Sequence, residues 1–126
     1  MDRERKKDIL KSVKNYLINE GFEEVMTDLE DSKKPKKIVE ERTGRIYEPD
    51  MVATAEGSSF IFHIVRSQNI MEETDKFIRE CNIFERHATA KKGKLYLIVP
   101  VQYFEDTIGL INKNNLENVG ILQVSS

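Results

Sequence analysis

The sequence predicts a single α/β domain in which a mixed central sheet of about five strands is flanked by helices. Three observations carry that expectation. "FIFHIVRS", from Phe60, and "KLYLIVPV", from Lys94, are apolar on both sides of the chain, as interior strands covered on both faces are. The segments beginning at Arg3 and Met71 repeat apolar residues at helical spacing. The segment order, α-β-β-β-α-β-α-β, joins an antiparallel meander to helix crossovers, so one sheet must hold both kinds of pairing. Residues 1–126 suit one domain with its own core, at 39% hydrophobic and 33% charged residues.

From Arg3 to Glu20, Ile9, Leu10, Val13 and Leu17 form one stripe of a helix that Gly21 can end. Phe22 to Glu30 is the first strand of the meander. "DSKKPKKIVEERTGR" is polar and punctuated by Pro and Gly, so it is expected as a loop or hairpin excursion. The second strand runs from Ile46 to Ala55. "AEGSS" turns the chain, with Gly57 free to take positive φ, into the third strand, which should be central. A helix from Met71 to Ala88 places Phe77, Cys81, Phe84 and Ala88 on one face. Gly93 closes the turn into the fourth strand. "FEDTIGLINKNNL" is a short helix with Phe104, Ile108 and Ile111 inward, and "VGILQV" is the last strand.

The formal net charge of -2 is unlike that of most domains that live on nucleic acid. The lone cysteine, Cys81, has no internal disulfide partner, and it reads as core filler. No apolar run approaches the ~20 residues that span a bilayer. The basic N-terminus lacks the apolar stretch of a signal peptide, so a cytoplasmic location is expected and no membrane contact.

The residues that bear on chemistry lie in "EPDMVATAEGSSFIFHIVRSQ", Glu48 to Gln68. The strand order, with Pro49-Asp50 on the second strand, resembles the core of the PD-(D/E)xK nuclease superfamily, the restriction-endonuclease-like fold. The resemblance covers the chain from Arg3 to Val124. It implies an acid near the end of the second strand and an acid-x-lysine on the third, together holding divalent metal for phosphodiester hydrolysis. Asp50 matches the first acid. His63 falls at the second acid and Val65 at the lysine, so the departure lies on the catalytic positions themselves. Alternation puts Ser59, Ile61, His63 and Val65 on one face of the strand and Phe62, Ile64 and Arg66 on the other, so Arg66 should point away unless a bulge rotates it.

Mg²⁺ needs hard oxygen ligands, and one carboxylate rarely holds it without help from substrate phosphate. Imidazole is a poor Mg²⁺ ligand, and valine neither donates to an oxyanion nor takes a proton. Losing one such electrostatic group typically costs ~10²–10³ in rate. No cofactor is expected; an active enzyme would use a divalent metal, Mn²⁺ or Mg²⁺, on Asp50.

Each residue also has a structural reading. Asp50 could form a structural ion pair, His63 could be a satisfied, partly buried histidine, and His87 a surface residue at a helix end. Glu48, two residues before Asp50 on the same strand face, and Glu20, at the end of the first helix, are the candidate migrated acids. Lys33, Lys34, Lys36 and Lys37 could touch a phosphate backbone or form a solvated face. The favoured expectation is a catalytically inactive nuclease-fold protein acting as a binding or assembly module, as a homodimer. The alternatives are a divergent metal-dependent nuclease using Asp50 and His63, and a DNA-binding protein that does not cut.

Overall fold

The computed structural model describes residues 3–30 and 32–125. Helix α1 (Arg3–Asn19) buries the expected stripe of Ile9, Leu10, Val13 and Leu17. Gly21, at φ +97°, takes the left-handed conformation that ends it. Strand β1 (Glu24–Thr27) follows, then a small hairpin of β2 (Ile38–Val39) and β3 (Ile46–Tyr47). Next come β4 (Met51–Ala55), β5 (Ser58–Ile64), a short helix α2 (Ser67–Met71) and the long helix α3 (Thr74–Ala90). Strand β6 (Leu95–Pro100), a 3₁₀ turn at Val101–Tyr103, helix α4 (Phe104–Lys113) and strand β7 (Val119–Val124) complete the chain.

Five strands form the main sheet in the order β1-β4-β5-β6-β7. The pairs β1/β4 and β4/β5 are antiparallel; β5/β6 and β6/β7 are parallel. The sheet is therefore mixed, with β5 in its middle. Alternation sorts the core into two layers. Met51, Ala53, Phe62, Ile64 and Ile98 pack with the α1 stripe on one face. Ile61, Val65, Leu95, Leu97 and Val99 pack on the other face with Phe77, Cys81, Phe84 and Ala88 of α3. Burial pushes the Cys81 thiol far above its ordinary pKa, with Glu80 and Glu85 adding to the effect, so it is inert filler.

Several boundaries depart from the sequence pattern, each for a local reason. The expected strand from Phe22 to Glu30 shrinks to Glu24–Thr27, because the Thr27 hydroxyl accepts the Leu29 N–H and turns the chain. The expected strand from Ile46 to Ala55 is two strands in two sheets. Pro49, which has no N–H for a ladder, sits in the break. Strand β5 ends at Ile64, and α2, unforeseen, precedes α3. In α4 the innermost side chain is Thr107, fully buried with its hydroxyl donating to the Tyr103 carbonyl, while Ile108 is only partly buried.

Candidate functional site

Asp50 lies just before β4 and is 6% exposed. In the register that pairs Met51 with Phe62, the position opposite Asp50 is His63, near the end of β5. Both carboxylate oxygens are engaged. Oδ2 accepts the Ile64 N–H at 2.8 Å, and Oδ1 accepts from Arg66 Nη2 at 2.9 Å. Lys6 Nζ, from the first turns of α1, is 3.5 Å from Oδ1.

Arg66 therefore does not point away, which corrects the expectation from alternation. The strand rule stops applying at Ile64. Arg66 stands beyond it in extended backbone at the entrance to α2, its N–H donating to Asn69 Oδ1 and its Nη1 to the Ile64 carbonyl. From there its guanidinium turns back over the strand end.

His63 is buried more fully than the partly buried, satisfied histidine of the structural reading, at 4% exposed. Its ring packs between Phe77 and Phe84, with centroid distances of 6.0 and 5.2 Å. Nδ1 is 3.1 Å from Asp50 Oδ2 but off the line of a hydrogen bond, and neither ring nitrogen has a hydrogen-bond partner among the described residues. Burial alone would push the Asp50 carboxyl up. The adjacent His63, the Arg66 charge and the Ile64 N–H together outweigh that and hold it well below the usual carboxylate range. The well-aligned donors are Arg66 and Ile64, and they fix the carboxylate's orientation.

The chain has no match among family models, curated proteins or solved structures.

The other candidate residues divide. Glu48 lines the same recess as Asp50, about 310 Å³, with Asp28, Lys6, Lys34 and Lys37. It stands in the break before β4 rather than on a strand face shared with Asp50, and its exposed carboxylate is 3.4 Å from Lys37. Glu20 is not brought to the site. It follows the last residue of α1, whereas Lys6 lies near the first, about 20 Å away along the axis at ~1.5 Å per residue. The Glu20 carboxylate instead acts on the exposed Tyr16 hydroxyl one turn back and raises its pKa. Lys34 pairs with Asp28 at 3.6 Å. Lys33 and Lys36 line a different recess. The four lysines thus do not make one phosphate-binding row.

These residues do not fit a Mg²⁺ or Mn²⁺ centre. Such an ion needs several oxygen ligands. Here the buried carboxylate is already shared by a guanidinium, an ammonium and a backbone N–H. Among the described residues no group of three or more His, Cys, Asp or Glu side chains is placed to hold a metal. What the arrangement does chemically is brace. Asp50 ties the start of β4 to the end of β5, the entrance of α2 and the first turns of α1.

Lys6 and Arg66 were missed as site residues. Arg66 carried a signal: it lies three residues before Asn69, whose side chain can accept the N–H of a residue that opens a helix. Lys6 carried none, since its approach to Asp50 is purely tertiary.

Proposed function

We propose that this chain is a non-catalytic protein of nuclease-like architecture that works as a binding or assembly module. The observation that carries the reading is the engagement of Asp50 by Arg66, Lys6 and the Ile64 N–H. In a metal-dependent nuclease of the family the sequence resembles, positive charge beside this acid comes from metal and a catalytic lysine. Here the Arg66 and Lys6 side chains supply it, from within the protein.

A second copy of the chain is the proposed assembly partner, and the two sheet edges support this. Edge strand β1 is four residues long, preceded by Glu23 and opened by Glu24, with its Thr27 N–H donating to the Lys33 carbonyl. Edge strand β7, "VGILQV", is six residues long with no charge and no proline. An unguarded apolar edge of that length is a template for another strand. An uncharged strand meets no like charge when it pairs with its own copy.

The test is incubation with plasmid and single-stranded DNA under Mg²⁺, Mn²⁺ and Zn²⁺, alongside Asp50→Ala. No cutting is expected with any ion. Metal-dependent cutting that Asp50→Ala abolishes would overturn the reading. Salt-sensitive DNA binding without cutting would instead favour a nucleic-acid holder.

A further inference from the structure

One quarter of the sheet has no helix above it. On the face that bears α3, that helix packs over β5 and β6 and leaves β1 and β4 largely without a helix above them. Strand register then lays out two rows of side chains in the gap. Glu24, Thr54 and Ser59 are cross-strand partners in one row; Met26, Val52 and Ile61 are partners in the next. The first row is polar and the second apolar. The segment carrying Lys33, Lys36 and Ile38 stands on one side and the end of α3 on the other, enclosing a recess of about 260 Å³. That is just under the ~300–1,000 Å³ of sites for drug-sized ligands, so it suits a body of one or two rings.

Its charge is unbalanced. Lys33, Lys36 and Lys91 line the recess against a single acid, Glu24. None of the three lysines makes an ion pair among the described residues, whereas their neighbours Lys34 and Lys37 pair with Asp28 and Glu48. The same positive field is felt by His87 in the recess wall, whose pKa is lowered by burial and by Lys91. An apolar floor beneath unneutralised cations matches an amphipathic anion: the ring system displaces water from Met26 and Val52, while the charged group meets the lysines.

We propose that the recess over β1, β4 and β5 binds a small organic anion, a one- or two-ring body carrying a carboxylate, sulfonate or phosphate, held by Lys33, Lys36 and Lys91. This site is separate from the Asp50 network and does not depend on the nuclease-like reading.

The probe is 2-naphthalenesulfonate, titrated into labelled protein and followed by amide chemical shifts. The expected result is saturable shifts centred on Met26, Val52, Thr54 and Ile61. Lys33→Ala with Lys36→Ala should weaken binding at least tenfold, and Lys91→Ala severalfold. Lys76→Ala and Lys113→Ala, on other surfaces, should change nothing. The neutral analogue 2-naphthalenemethanol and inorganic phosphate should each bind at least tenfold more weakly, because each meets only half of the site. Unchanged affinity in the Lys33/Lys36 variant, equal binding of the neutral analogue, or shifts scattered over the surface would each overturn the proposal. Amide spectra of the lysine variants check that they keep the fold.

Discussion

At the scale of single residues, Asp50 has the largest measurable consequences. A buried carboxylate is tolerated only when its charge is met, and removing one member of such a pair typically costs ~3–5 kcal/mol because the other is left uncompensated. Arg66 is 23% exposed, so water softens its loss of a partner and the lower end applies. Asp50→Asn should therefore lower unfolding free energy by about 3 kcal/mol, read as a shift in the urea midpoint. The double change Asp50→Leu with Arg66→Met should cost less than the sum of its single changes, since neither charge is then stranded. The pH dependence has a definite sign. The Asp50 pKa is depressed in the folded protein, so its stabilisation is complete above the unfolded value, about 3.9, and is lost as pH falls below it. The gap between wild type and Asp50→Asn should be flat from pH 5 to 8 and shrink below about pH 4. A gap that shrank on raising the pH instead would show that the charge of Asp50 is not what stabilises the fold. The sequence did reveal Asp50, because Pro-Asp before an apolar strand is a local pattern. The partners that decide its role were hidden, since Lys6 and Arg66 reach it through the packing of α1 and the end of β5.

Individual elements were legible where their periodicity was strong. The stripes of α1 and α3 and the apolar runs of β5 and β6 predicted burial correctly. The break beside Pro49 went unread although its cause is local, since proline has no N–H for a ladder. Gly93 is instructive. In the sequence it reads as a turn residue, yet a Cβ there would lie 1.7 Å from the Ser59 carbonyl oxygen, so its absence lets the turn after α3 pass close to β5. Gly93→Ala should cost about 3 kcal/mol by thermal or urea unfolding, because backbone on both sides must shift. Gly120 is a milder case, where a Cβ would meet the Tyr96 ring at 2.5 Å, a side chain that can move. For β7 the prediction concerns assembly. A two-fold axis through Ile121 would continue the sheet and oppose Val119 with Gln123 on one face. Val119→Lys with Gln123→Lys then sets lysine opposite lysine, and light scattering should report a dimer becoming a monomer. A dimer that survived this double change would exclude β7 as the interface.

For the whole molecule, stability is expected to be uneven in a way the two core layers dictate. The middles of strands β5 and β6 are sealed on both faces: Ile61, Phe62, Ile64, Leu95, Leu97 and Ile98 are at most 1% exposed. The β2–β3 hairpin has only two residue pairs, Ile38–Tyr47 and Val39–Ile46, and the outer pair is more than half exposed. Its hold on the core is Ile38 and Tyr47, whose ring meets Phe84 edge-on at 6.3 Å. Hairpin amides should therefore exchange through local opening, well below the free energy that protects β5 and β6. Because Ile38 also lines the recess over β1 and β4, that opening dismantles one wall of the proposed anion site. Ligand bound only to the closed form must then suppress the opening. At a free probe concentration ten times the dissociation constant, linkage gives about 1.4 kcal/mol, or roughly tenfold slower exchange at Ile38 and Tyr47, the hydrogen-bonded pair of the hairpin. The amides of β6, which exchange by global unfolding, should slow by the same factor, because unfolding also releases the ligand. If β6 slowed while the hairpin did not, the hairpin would open with the ligand still in place, and Ile38 would not be part of what holds it.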